Sequence, residues 1–194
     1  MKINFKKKYT EVEDIFVADW IATQVELSKI KIKKSIEIGG LWITKSGQRK
    51  KERIKKIKTK IQKDSIVELN YDSNMEFADE SLAIEVFQGG EFGVWYKPAG
   101  MLSDGSPYAD RGSLSYLIKS KSKKCFLIQR LDREVSGLML VAYSKKMAGF
   151  FSKELQDKKI SKYYQAQVLG IIKENGCIDK VLDGKAAETN YKLF

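Results

Sequence analysis

Phe126-Leu127-Ile128-Gln129-Arg130-Leu131-Asp132-Arg133-Glu134-Val135-Ser136-Gly137-Leu138-Met139-Leu140-Val141-Ala142 is the stretch from which the fold of this chain is best read. Its ends, Phe126 to Ile128 and Gly137 to Ala142, are apolar, and its middle is polar and charged, which predicts two buried strands joined by an exposed connection. Functional side chains gather on connections of that kind, held by a rigid scaffold. Asp132 has Arg130 two residues before it and Arg133 directly after it, so nearby positive charge is expected to keep its carboxyl ionised. Such a carboxylate acts as nucleophile, base or electrostatic partner, or it braces a turn through a surface ion pair. The string by itself leaves those roles open.

Upstream, Ala83-Ile84-Glu85-Val86-Phe87 and Phe92-Gly93-Val94-Trp95-Tyr96 flank Gln88-Gly89-Gly90-Glu91, which predicts a β-hairpin turning on the paired glycines. Lys97-Pro98-Ala99-Gly100 then forces the chain out of the strand and leaves Lys97 at its end. Tyr71-Asp72-Ser73-Asn74 is rich in turn formers, and a linker is expected at about residues 72 to 80. Before it, Val12, Phe16, Trp20 and Ile21 recur at helical spacing. Ser28 is a candidate N-cap for a second helix over Lys29 to Ile38, which Gly39-Gly40 ends. Leu41 to Thr44 reads as a short strand, and Ile61 to Leu69 as a turn followed by an alternating strand. The expected organisation is therefore a small module over residues 1–75 and a second domain over 76–194.

The 194 residues are 43% hydrophobic, enough for packed cores, and 36 Lys and Arg against 25 Asp and Glu give a net charge of +11. Such an excess points to a polyanionic partner. Most of it is N-terminal: 18 basic and 10 acidic residues fall in positions 1–75. Lys29, Lys31, Lys33 and Lys34 crowd the second helix, which reads as a phosphate-contacting surface or as a solvated face, and charge alone weighs the two equally. Positions 49–63 hold nine basic residues, Arg49 and Arg53 among them, and one acidic residue; Ile54, Ile57 and Ile61 predict an amphipathic helix with a thin apolar edge. That edge lacks Trp and Phe, which favours nucleic acid over a membrane surface as its partner.

The absence of histidine excludes Ser-His-Asp and Cys-His nucleophilic sites and the two-histidine zinc helix. Cys125 and Cys177 are too few for a zinc cluster and read as reduced, buried thiols. No metal or cofactor is expected. Neither a signal peptide nor a membrane span is legible, so a soluble, cytoplasmic protein is expected, with a monomer as the default.

Taken in order, Lys97-Pro98-Ala99-Gly100, Arg130-Leu131-Asp132-Arg133-Glu134-Val135-Ser136-Gly137-Leu138 and Lys162-Tyr163-Tyr164-Gln165-Ala166-Gln167-Val168-Leu169-Gly170 resemble the signature segments of the RluA-type RNA pseudouridine synthases. The resemblance covers about residues 80–192, and Ala187 to Tyr191 is similar to that family's next strand. The preceding two helices, glycine break and strands resemble the small S-four RNA-binding module. The implied fold is α+β: an S-four-like module followed by a mixed, mainly antiparallel-sheet catalytic domain.

The resemblance implies isomerisation of uridine to pseudouridine in structured RNA without cofactor or metal. Asp132 falls on the family's aspartate, attacking sugar or base or removing a sugar proton. Tyr164 falls on its tyrosine, packing on the target base, with Tyr163 on the opposite face of a strand. Arg130 matches the arginine that enters the RNA helix as the nucleotide flips out. Arg133, Lys29, Lys33, Lys34, Arg49 and Arg53 are expected to bind RNA, and Lys97 to support the active-site loop or a phosphate. Ribosomal RNA is favoured over transfer RNA. Gln129 stands where many members have His, and Val135 where they have Thr. The family's domain also extends past Phe194 to the basic partner of its aspartate, which implies a C-terminally truncated piece and leaves its own turnover open. A non-catalytic RNA-binding protein is the alternative.

Overall fold

A computed structural model describes residues 1–75, 77–121, 123–182 and 184–193. It divides into two compact units, Met1–Lys159 and Ile160–Phe194.

The first unit holds two antiparallel four-stranded sheets, each with its own apolar core. In the first sheet the strands β1 (Lys2–Lys8), β2 (Leu41–Thr44), β3 (Glu52–Ile54) and β4 (Ile66–Asp72) lie in the order β1-β4-β2-β3. Phe5 and Leu41 both stand opposite Leu69, and Leu41 opposite Ile54, so alternate apolar residues line one face. Helices α1 (Val17–Gln24) and α2 (Lys29–Ile38) cover that face with Val17, Trp20, Ile21, Ile32 and Ile36, all buried. The Ser28 side chain accepts from the Lys31 N–H, and Gly39 ends α2 at φ 98°, a left-handed conformation that a side chain would strain. Along the edge strand β1, Lys2, Lys6 and Lys8 pair with Asp72, Glu68 and Asp64.

Two N-terminal expectations fail. Val12 is 81% exposed, and α1 begins only at Val17, where Phe16 enters in an extended conformation. No helix forms over residues 49–63; the chain makes β3 and then turns. A helix there would stack Lys51 on Lys55 and Lys56 on Lys60, like charges at i,i+4, around three β-branched isoleucines. Ile54 instead pairs with Leu41, and Ile61 is buried in the core. The strand β1 was missed because only Ile3 and Phe5 alternate within a run of lysines.

The second sheet contains β5 (Ile84–Gly89), β6 (Phe92–Lys97), β7 (Phe126–Leu127) and β8 (Gly137–Ala142) in the order β5-β6-β8-β7. The expected hairpin forms: Gly89 pairs with Phe92 around Gly90 at φ 63°. Trp95 stands opposite Met139, and with Val141 they face the helix α3 (Leu114–Ser120), which contributes Leu114, Leu117 and Ile118 to the core. A last helix, α4 (Lys145–Gln156), is capped by Ser144 and sets Phe151 edge-on against Phe92. Neither α3 nor α4 was read from the sequence.

A polar group spans this sheet. Trp95 Nε1 donates to the Tyr143 hydroxyl at 2.8 Å, Tyr143 donates to Glu85, and Lys123 Nζ reaches the two Glu85 oxygens at 2.9 and 2.7 Å. Burial alone would raise the Glu85 carboxyl, but the donors Lys123 and Tyr143 hold it below its ordinary value. A carboxyl depressed in the folded state adds stability above its unfolded pKa and loses it as pH falls through the folded one. Urea midpoints are therefore expected to drop on acidification below about pH 4.3, and Glu85→Gln to flatten that limb. An identical acid limb in the variant would assign the loss to other carboxylates.

The second unit is an antiparallel hairpin of β9 (Asn175–Leu182) and β10 (Lys185–Lys192), in which Cys177 stands opposite Asn190 and is exposed, not buried as expected, because the face it lies on is uncovered in this two-stranded hairpin. The expected late strand over Ala187 to Tyr191 lies within β10. Residues 161–168 form neither helix nor strand, which corrects the expectation that Tyr163 and Tyr164 occupy opposite faces of a strand. No strand among the described residues pairs with that segment, and an extended chain without a ladder partner is not a strand.

Candidate active site and nucleic-acid interface

The connection between β7 and β8 carries Arg130, Asp132 and Arg133, and its shape follows from where Leu131 goes. Leu131 is buried in the second core, so its neighbours Arg130 and Asp132 are both turned to solvent. The Val135 N–H donates to the Asp132 carbonyl at 3.1 Å and closes the loop. Ser103, itself buried, holds Leu131 at both backbone groups. Its hydroxyl donates to the Leu131 carbonyl at 2.5 Å and accepts from the Leu131 N–H at 3.0 Å. The ion pair between Arg130 and Asp132 that was the alternative to an RNA-facing role is absent among the described residues. Arg130 instead contributes its charge to Asp104. Burial would raise that carboxyl, but the Ser115 hydroxyl, the Gly105 N–H, Lys119 and Arg130 hold it low.

The Lys97-Pro98-Ala99-Gly100 segment meets this loop. Lys97 is fully buried, and its ammonium donates to the carbonyls of Met101 at 2.7 Å, Pro98 at 3.1 Å and Arg133 at 3.3 Å. The Gly100 N–H donates to the Arg133 carbonyl at 2.8 Å, and Arg133 Nε returns a bond to the Gly100 carbonyl at 3.1 Å. Gly100 sits at φ 83°, which lets the backbone turn into these contacts. Burial pushes the Lys97 ammonium down, and the carboxylates of Glu134 and Asp132 pull it back up. Lys97 thus ties two loops and the charge of Asp132 together, and leaves no surface open to a phosphate.

The other expected RNA contacts divide. On α2, Lys33 and Lys34 are exposed, while Lys29 pairs with Asp19 at 2.9 Å. Arg49 is exposed on the turn between β2 and β3. Arg53 is half-buried and donates to the carbonyls of Gly39 and Ser106, the latter at 2.7 Å. Tyr164, in the second unit, is 62% exposed. Sequence reasoning missed Ser103, whose role shows only in the fold, because a serine three residues past a glycine carries no distinctive pattern.

The arrangement is a solvent-facing carboxylate on a loop pinned from within, in a protein whose helix α2 exposes Lys33 and Lys34. Residues 91–193, over half of the chain, match the model of the RNA pseudouridylate synthase family, and the chain belongs to that family. It is similar to tRNA pseudouridine synthase C of Haemophilus ducreyi, 36% identical over 99 residues that cover 47% of this chain and 40% of that protein. An uncharacterised RNA pseudouridine synthase of Mycoplasma pneumoniae is 26% identical over 77% of this chain and 49% of its own length. Ribosomal large subunit pseudouridine synthase D of Nitrosomonas europaea is 26% identical over 39% of this chain and 26% of its own length. The chain thus spans less than half of each of these curated relatives. No helix among the described residues is long and apolar enough to cross a membrane.

Proposed function

We propose that the protein isomerises uridine to pseudouridine in structured RNA, with Asp132 as the reacting carboxylate. The observation that carries this reading is the placement of Asp132: exposed to a macromolecular substrate, yet on a loop whose backbone is fixed by Lys97, Ser103 and Gly100. Pre-set geometry of this kind is what a reaction on a flipped nucleotide requires. In the reaction the bond from C1′ to N1 breaks, the base rotates, a bond from C1′ to C5 forms, and the C5 hydrogen leaves as N1 gains a proton. Asp132 serves as nucleophile toward sugar or base, or as the base that removes a sugar proton. Tyr164 is assigned to the target base, Arg130 to the vacated helix, and Arg133 to the adjacent backbone.

Residues 1–75 are proposed to be an S-four-like RNA-binding module that contributes Lys29, Lys33, Lys34 and Arg49, and residues 76–194 the first part of the catalytic domain, in a cytoplasmic monomer. Ribosomal RNA is favoured by the S-four-like module and the lysine-rich segment 49–63; both a transfer-RNA enzyme and a ribosomal enzyme occur among the named relatives. A second reading, RNA binding without turnover, is favoured by Val135, which places no hydroxyl beside Asp132, and by Gln129, whose buried Oε1 has no partner among the described residues.

Carbodiimide-dependent reverse-transcription stops, mapped on ribosomal and transfer RNA from cells with and without the gene, test the proposal. One or a few stops are expected to vanish in the deletion strain. An unchanged pattern would leave RNA binding without turnover as the function.

A further inference from the structure

The two cores of the first unit are joined by a network that begins at the C-terminus of α2. The Ile38 carbonyl accepts from the N–H groups of Asp110 at 3.1 Å and Arg111 at 3.4 Å. Arg53 lies across the same junction. One arm donates to the Gly39 carbonyl and the other to the Ser106 carbonyl at 2.7 Å, while its guanidinium stacks 4.1 Å from the centre of the Trp42 ring. Trp42 Nε1 in turn donates to the Pro107 carbonyl at 2.9 Å, and Lys55 pairs with Asp110 at 2.8 Å. The space is closed: a Cβ on Gly39 would stand 2.6 Å from Asp110 Oδ1 and 2.8 Å from an Arg53 nitrogen. From there the route to Asp132 is short. The segment after Asp110 bonds back to Leu102 and Ser103, through Leu114 at 2.8 Å and Ser115 at 3.1 Å, and Ser103 grips Leu131.

A planar, permanently charged fork suits this position, because it satisfies two carbonyls from different modules while its face covers an aromatic ring. An arginine so engaged is spent on the protein and not on phosphate. We propose that Arg53 is a positioning residue: it locks the lysine-bearing helix α2 to the Asp132 loop, so that both engage one RNA at a fixed separation. The substrates selected are then RNAs that carry a second phosphate cluster at one set offset from the target uridine. This rests on the synthase reading for its consequence in turnover, but not for the lock itself.

Two measurements separate the parts. Spin labels on Glu37→Cys in α2 and Lys146→Cys in α4, in a background of Cys125→Ser and Cys177→Ser, report the distance distribution by pulsed dipolar spectroscopy. It is expected to be narrow with Arg53 present and at least twice as broad in Arg53→Ala. Trp42→Phe, which keeps an aromatic face for Arg53 but loses the five-membered ring with its N–H to Pro107, should broaden it to a lesser degree and serves if Arg53→Ala does not fold. Tritium release from uridine-labelled ribosomal and transfer RNA transcripts gives the kinetics. Both variants should raise KM by about tenfold, the loss expected when a fixed second contact becomes a loosely tethered one, with kcat at saturation within about twofold. A broad distribution in the unsubstituted protein, or a narrow one in both variants, overturns the lock. Tritium release absent from every transcript, with the broadening intact, overturns the synthase reading and supports the lock. A fall in kcat at unchanged KM overturns the selecting role of Arg53.

Discussion

Asp132→Asn is expected to lower tritium release from uridine-labelled RNA by about 10⁴-fold, while RNA affinity stays equal or tightens slightly. The two halves of this result have different causes. Amide for carboxylate preserves shape and removes the negative charge, the nucleophilic electron pair and the proton acceptor at once. No chemistry assigned to position 132 survives that exchange. Binding, in contrast, is carried by lysines and arginines at phosphates, and removing one anion from an exposed loop removes only repulsion. Asp132 has no side-chain bond among the described residues to another group, so the variant should fold as the parent does. Tritium release and salt-dependent filter binding on the same transcripts check both halves. Turnover within tenfold of the parent would remove Asp132 from the reaction.

Lys97→Met carries the second large effect, on stability first and on rate through it. A thioether fills the volume of the lysine stem but leaves the carbonyls of Pro98, Met101 and Arg133 without their shared donor, in a place that water does not reach. The Arg133 carbonyl keeps the Gly100 N–H and the Pro98 carbonyl keeps the Met101 N–H, so the Met101 carbonyl bears the main loss. One buried, unsatisfied acceptor costs about 1–3 kcal/mol, and a loss of about 2 kcal/mol is expected in urea unfolding. Below the new midpoint, the folded variant should still turn over about 10²-fold more slowly, because the Asp132 loop is then held less closely. Lys97→Arg is not expected to rescue, since its larger, forked head does not fit a fully buried cradle for a compact ammonium. A variant within 1 kcal/mol of the parent, at equal rate, would reduce the cradle to a bystander.

Much of the local architecture was legible because the chain punctuates itself. Ser28 and Gly39 bracket α2 at the expected residues, and the Gly89-Gly90 turn and the apolar run of Gly137 to Ala142 give β5, β6 and β8. What failed was the lysine-rich segment 49–63, where three isoleucines fit a helical and a strand-and-turn reading equally well and only the pairing of Ile54 with Leu41 decides. The start of α1 was misplaced because Val12 fits the period yet has nothing to pack on. At the site, Asp132 stood out as a carboxylate among arginines. The grip of Ser103 on Leu131 and the turning of Arg53 toward two carbonyls depend on residues distant in sequence. No local pattern encodes them.

The lysines of β1 have one more consequence. A strand on the rim of a sheet offers its free backbone groups to any other extended chain, including a second copy of itself. Here Lys2, Lys6 and Lys8 stand along that rim, paired with Asp72 and Glu68 on β4 and with Asp64 just before it. A second molecule approaching in register would have to strip water from these long charged side chains and their ion pairs before any ladder could form. Resistance to clumping is thus written into the same charges that give the molecule its basic character.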